Sequence, residues 1–211
     1  MIYTVEVGYI IATNAYFYID DETRHGFLID AGAEPERLLH LISENNFIIE
    51  KILLTHGHYD HIGAAAAIQQ ALNIPICMQK NGKIYAENTA WNLSTAFGSE
   101  IILENVTYLE DYSEIFLSTN ENFKLKIIPC AGHTTDGAIY YSEKDGVAFV
   151  GDSIFKGSFG RTDLPGGDEK TLFENIKTKI LTLPDDTILL SGHSEPTTVA
   201  VEKNRAWFKV R

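Results

Sequence analysis

The chain has 211 residues and a mass of 23.6 kDa, with 45% hydrophobic and 11% aromatic residues, enough for one large domain with a substantial core. Against 17 Lys+Arg stand 29 Asp+Glu, a formal net charge of −12 that argues against nucleic-acid or anionic-membrane partners. Two cysteines, Cys77 and Cys130, exclude a disulfide framework, and no apolar run approaches the roughly 20 residues of a membrane span. The first residues alternate apolar and polar and lack a basic n-region or a small-residue cleavage site, so they read as a first strand. A cytoplasmic location and a single domain over residues 1–211 are the resulting expectations.

In chain order, alternation predicts strands at Ile2–Val7, Ala15–Ile19 and Gly26–Ile29. A helix is expected over 34–45, with Pro35 in its first turn and Leu38, Leu39, Leu41 and Ile42 on its apolar face. Ile48–Leu54 reads as a buried strand, and the Ala-rich Ile62–Leu72 as a helix. A short strand at 74–78 and a helical stretch at 80–90 follow, and 91–120 shows no clear period. Phe123–Pro129 is an expected strand, and Ala138–Ser142 with Val147–Val150 a hairpin turning at Lys144-Asp145-Gly146. A polar, Gly-rich loop at 156–168, a helix at 169–183, a strand at Thr187–Leu190 and a closing helix at Thr197–Phe208 complete the reading. Mixed strands and helices without repeat or linker imply an α/β fold of sheets covered by helices.

The chemistry concentrates at His56-Gly57-His58-Tyr59-Asp60-His61, directly after the apolar strand. Imidazole nitrogens and carboxylate oxygens are the donors that suit Zn²⁺ and related first-row ions. Four such side chains within six residues are hard to explain by packing. Three later residues repeat the setting: His133, Asp152 and His193 each follow a strand end and a glycine. Glycine there allows close backbone approach. His25 and His40 read instead as ordinary hydrogen-bonded residues.

The order H-x-H-x-D-H, then His133, Asp152 and His193, resembles that of the metallo-β-lactamase superfamily and spans the chain. The segment from Gly151 through Gly160-Arg161-Thr162-Asp163 to Asp168 is similar to the short glyoxalase II-like hydrolases. The resemblance implies a four-layer αβ/βα sandwich and two divalent metal ions, Zn²⁺ with Fe or Mn as alternatives. It implies that His56, His58 and His133 hold one metal, that Asp60, His61 and His193 hold the other, and that Asp152 bridges them. Asp30 and Thr55 are candidates for orienting the imidazoles.

Two divalent ions acidify a shared water into a hydroxide nucleophile near neutral pH, with Asp60 expected as the catalytic carboxylate that aims it. A thiolate leaves readily, so the expected substrate is a small-molecule thioester of the S-lactoylglutathione type. Glyoxalase II enzymes carry a further helical domain, whereas 18 residues follow His193 here, so no such domain is expected. By the resemblance, Arg161 is the expected substrate-binding cation, with pairing to Asp163 as the alternative. Ala131 stands where the family has proline, Cys130 before it reads as packing, and Ser194-Glu195-Pro196 replaces the usual Gly-Pro. A mononuclear iron persulfide dioxygenase and a non-catalytic metal-binding module are the alternative functions.

Overall fold

The structure is a computed structural model and describes residues 1–8 and 10–205. Six strands form the first sheet in sequential order: β1 (Ile2–Val7), β2 (Thr13–Ile19), β3 (His25–Ile29), β4 (Ile48–Leu53), β5 (Ile76–Gln79) and β6 (Val106–Leu109). The first three pair antiparallel and β3 to β6 pair parallel. The parallel part needs crossovers, and α1 (Pro35–Glu44) and α3 (Ala65–Leu72) supply them.

The second sheet is built from β7 (Glu114–Phe116), β8 (Lys124–Pro129), β9 (Ala138–Ser142), β10 (Val147–Gly151), β13 (Ile188–Ser191) and β14 (Thr197–Thr198). Its pairs are antiparallel except β10 with β13. A small hairpin, β11 (Ile154–Phe155) with β12 (Ser158–Phe159), stands apart. The remaining helices are α2 (Tyr59–Ile62), α4 (Lys83–Glu87), α5 (Glu169–Asn175) and α6 (Val199–Lys203).

Alternating side chains give each sheet two apolar faces, and each face finds a partner. Between the sheets, Tyr18 and Phe27 meet Phe123 and Phe149, with Tyr18 stacked on Phe123 at 4.3 Å. Outside the first sheet, Leu38 and Ile42 of α1 and Ile68 of α3 pack on Leu28 and Ile52. Outside the second, Leu172 of α5, Ile176 and Ile180 cover Ile139, Ala148 and Val150. The result is the expected four-layer αβ/βα sandwich.

Four differences from the sequence reading have local causes. The helix expected at Ile62–Leu72 begins earlier, at Tyr59, and breaks after Ile62 because the Ala64 N–H donates to the Ala31 carbonyl at 2.9 Å, diverting the chain. The aperiodic stretch 91–120 holds β6 and β7, too short for periodicity to register. The 156–168 loop contains β12, paired only with β11. The closing helix starts two residues late, after Thr197–Thr198 extend the sheet, and residues 206–208 of that expectation lie outside the described residues.

Backbone bonds join the strand ends that matter. The Ala138 N–H donates to Thr55 O at 2.8 Å, Gly192 N–H to Gly151 O at 3.0 Å and Asn14 N–H to Gly192 O at 2.7 Å. The segments after β4, β8, β10 and β13 therefore open on one edge of the sandwich.

Candidate metal centre

Asp30, just past β3 with φ 55°, organises the run that follows β4. Its buried carboxylate accepts from the Thr55 N–H at 2.8 Å and the Thr55 hydroxyl at 2.7 Å, and faces His61 Nδ1 at 2.9 Å. An Nδ1–H donated to Asp30 leaves the His61 Nε2 lone pair pointing inward. His133 and His193 are set in the same way: Nδ1 of His133 faces the Arg161 carbonyl, and Nδ1 of His193 the Ala12 carbonyl, each at 2.7 Å. Three imidazoles from three segments thus present Nε2 to a common space. The backbone must come very close here: a Cβ on Gly192 would lie 2.4 Å from Asp152 Oδ1 and 2.6 Å from His61 Cε1. Gly151 adopts φ +49°, and a Cβ there would lie 2.3 Å from the Thr55 hydroxyl.

All seven residues singled out as ligands from the sequence meet in this space. His56 Nε2 lies 3.1 Å from His58 Nδ1, which lies 2.9 Å from His133 Nε2. Across the cluster, His193 Nε2 is 3.2 Å from both Asp60 Oδ2 and Asp152 Oδ2, and 3.4 Å from His61 Nε2. Asp152 reaches both sides, with Oδ1 3.4 Å from His61 Nε2 and Oδ2 3.6 Å from His133 Nε2. Three ligand groups result, each with donor atoms within 4.8 Å of one another: His56, His58, His133; His56, His61, Asp152; and Asp60, His61, His193.

The donor chemistry fits bound cations. Neutral imidazoles this close can share one N–H···N bond per pair, whereas a cation satisfies all of the converging lone pairs at once, and Asp152 Oδ1 has no hydrogen-bond partner among the described residues. Burial, reinforced by neighbouring histidines, drives His56 well below the ordinary imidazole range. Burial and His133 push His58 down to about 3, so both stay neutral ligands. Burial opposes charge on Asp60 and Asp152 as well, but the facing histidines outweigh it and hold both carboxyls ionised. His193 and His61 go the other way: burial is overcome by Asp152 and Asp60, raising His193 to about 10, and by Asp30, raising His61 well above its usual range.

The remaining expected residues fall outside the cluster. Thr55 bonds Asp30 and lies 3.2 Å from His56 Nδ1. Arg161 lines the cavity above the cluster, and its exposed guanidinium forms a two-point pair with Asp163, Nε to Oδ1 and a terminal nitrogen to Oδ2, both at 2.7 Å. Glu195 points to solvent and pairs with Lys156 at 2.6 Å. Cys130 is fully buried packing, its thiol pushed up to about 11 by burial. His25 pairs with Glu50 at 2.7 Å, and His40 is exposed beside Glu44.

The sequence reading missed the cavity wall. Over the cluster lies a cavity of about 490 Å³ whose floor is His58, Asp60, His133, Asp152 and His193. Its wall includes Ile11, Tyr59, Leu93, Phe97, Phe155 and Leu164. The Asn92-x-Ser94 spacing, in which the Asn92 side chain accepts from the Ser94 N–H at 2.9 Å, is a local signal of a fixed turn in this aperiodic stretch.

Residues 9–193 match the family described as the metallo-beta-lactamase superfamily. Hydroxyacylglutathione hydrolase GloC of Haemophilus influenzae is 35% identical over 189 residues, covering 87% of this chain and 86% of that protein. Among solved structures, that of the BLEG-1 B3 metallo-beta-lactamase superposes with a TM-score of 0.91 at 32% identity, covering 99% of both chains. TTHA1623, solved in a di-iron-bound form, gives a TM-score of 0.86 at 33% identity over 97% of this chain and 99% of that one.

Proposed function

The chain belongs to the metallo-beta-lactamase superfamily of metal-dependent hydrolases, and from that premise we propose that it is a binuclear thioester hydrolase. The observation that carries the proposal is the convergence of seven His and Asp donors into overlapping groups beneath one cavity. In this reading His56, His58 and His133 hold one divalent ion, Asp60, His61 and His193 hold the second, and Asp152 bridges them. Zn²⁺ is the proposed metal, and the di-iron form of TTHA1623 makes iron the alternative to measure. When bound, such ions supply the Lewis acidity that brings a water toward neutral pKa and polarises a carbonyl.

The chain's own residues supply the positioning. Asp60 is held by the Thr13 hydroxyl at 3.2 Å and by His193, which leaves its carboxylate able to accept a hydrogen bond from a water at the cluster and so fix its aim. Asp30 fixes the His61 ring, and the Arg161 carbonyl fixes His133. The apolar side chains beside the floor lower the local polarity, which strengthens electrostatic contacts there. Hydrolysis forms a bond from water oxygen to the acyl carbon and breaks the C–S bond. The thiolate departs with the C–S electron pair, the acyl group becomes a carboxylate, and of the water's two protons one ends on the departed thiolate and one in solvent. A thiol's modest pKa makes this departure possible without a dedicated acid.

The similarity to a hydroxyacylglutathione hydrolase makes S-lactoylglutathione the reference substrate. Arg161 is the proposed binder of a substrate carboxylate, which would have to replace Asp163 in its two-point pair. Protein purified without added metal should carry two first-row ions per chain and hydrolyse thioesters, and His58→Ala should lose both properties. Arg161→Ala should raise KM for carboxylate-bearing thioesters only. One iron per chain with oxygen uptake on a glutathione persulfide, and no thioester turnover, would replace this reading with the dioxygenase. Two bound ions without turnover of any ester would make the protein a binding module.

A further inference from the structure

The wall of the cavity is as deliberately built as its floor. Leu93 adopts φ +69°, a left-handed conformation that a bulky residue takes only when its surroundings force it. The force comes from Asn92, which is fully buried: its side-chain amide donates to Tyr85 O at 2.9 Å and Ile101 O at 2.8 Å, and its oxygen accepts from the Ser94 N–H. The Asn92 carbonyl in turn accepts the Tyr59 N–H at 2.8 Å, tying this turn to the run between His58 and Asp60. Phe97 stacks on Tyr59 with ring centroids 4.1 Å apart and planes 19° from parallel. Phe97 remains 39% exposed and Ile11 37%, so apolar surface at the cavity is left uncovered by the described residues. On the opposite side Phe155 leans edge-on to His193 at 5.9 Å.

Charge at the mouth points the same way. Arg161 is the one Arg or Lys among the described residues lining the cavity, and Asp163 already takes its two-point contact. Lys156, next to Phe155, is held by Glu195. An anionic tripeptide must displace Asp163 from Arg161 or Glu195 from Lys156 before either cation can grip it, whereas a neutral acyl chain meets the apolar wall directly. Apolar walls around a few convergent polar groups are the form of a small-molecule site, and the volume lies in that range.

We propose that the wall formed by Ile11, Tyr59, Leu93 and Phe97 is an acyl-selecting surface, and that the chain prefers thioesters of apolar acyl groups on a neutral thiol over S-lactoylglutathione, whose acyl group is polar and whose thiol is anionic. The inference rests on the thioester reading and names its substrate class. The metal-loaded protein is assayed on S-acyl N-acetylcysteamines from acetyl to octanoyl beside S-lactoylglutathione. The specificity constant kcat/KM should rise about threefold per added methylene until the cavity is filled, and the longer members should exceed S-lactoylglutathione at least about tenfold. Phe97→Ala should cost the octanoyl substrate about tenfold more than the acetyl one. A flat chain-length profile, or preference for S-lactoylglutathione, overturns the proposal and leaves thioester hydrolysis standing.

A second arm needs no turnover. Calorimetric binding of the unhydrolysable S-alkyl N-acetylcysteamines is compared in wild type and Phe97→Ala. Affinity that grows with chain length and falls about tenfold in the variant supports the wall's preference even if no thioester is hydrolysed, which would sink the thioester reading alone. Affinity independent of both chain length and Phe97 overturns the proposal.

Discussion

The floor and the wall of the cavity are made by opposite means. The floor is polar, buried and redundant: each of His61, His133 and His193 is locked through Nδ1 to a fixed oxygen, and Asp152 faces imidazoles on two sides. The wall is apolar, partly exposed and strained, held by a single buried amide at Asn92. The floor's donors sit at strand ends and in the run after β4, whereas Leu93 and Phe97 of the wall come from the irregular stretch between α4 and β6. The difference teaches where each property lives. Reactivity should answer to changes in the floor, and selectivity to changes in the wall.

The largest effect expected from breaking this division is loss of the cations. Chelation, or Asp152→Ala, should lower kcat/KM by about 10³-fold or more for every thioester alike, read from initial rates. Rescue by added Zn²⁺ should follow chelation but not Asp152→Ala. A selective loss for one acyl group would mean that floor and wall are not separable.

Behind the floor, Asp136 is a buried carboxyl whose oxygens have no hydrogen-bond partner among the described residues, and burial pushes its pKa up to about 7. Thr134 and the Gly57 N–H lie near enough to offset part of the burial effect without closing such a bond. A folded pKa raised above the ordinary carboxylate value means that the protonated form is favoured by folding. The contribution is fully present below about pH 4 and is lost as pH rises to 7. In the metal-free protein Asp136→Asn should therefore match wild type near pH 4 and exceed it by about 2–4 kcal/mol above pH 7, by denaturant unfolding. A constant difference across this range would show that the carboxyl is ionised throughout.

A smaller effect separates holding a metal from orienting its ligand. Asp30→Ala frees the His61 ring and should weaken metal affinity about 10–100-fold, measured by competition with a chelator, while leaving the order of acyl preference unchanged. The smallest effect sharpens the wall. Leu93→Gly should raise stability by about 1 kcal/mol by removing left-handed strain, and still reduce kcat/KM for the longest acyl chains. Stability gained without loss of selectivity would make Leu93 a structural accident.

The same contrast explains what could be read from the chain beforehand. His56 to His61 was legible because four ligand side chains crowd six residues, and His133, Asp152 and His193 because each follows a strand end and a glycine. Long, strongly patterned elements such as β1 and α1 were also legible. The wall was not. Leu93 and Phe97 sit in a stretch without period, and their positions depend on Asn92 bonding to Tyr85 and Ile101, contacts made seven and nine residues away by a side chain that hydropathy scores as merely polar. The break between α2 and α3 was hidden for a similar reason, since a backbone bond from Ala64 to Ala31 overrides a continuous run of helix formers.

The most direct test of the account titrates Zn²⁺ into metal-free protein while following both bound metal per chain and initial hydrolysis of an octanoyl thioester. Hydrolysis should appear as the sites fill and saturate at two ions per chain. Two bound ions with no hydrolysis, or full activity at one ion per chain, would contradict it.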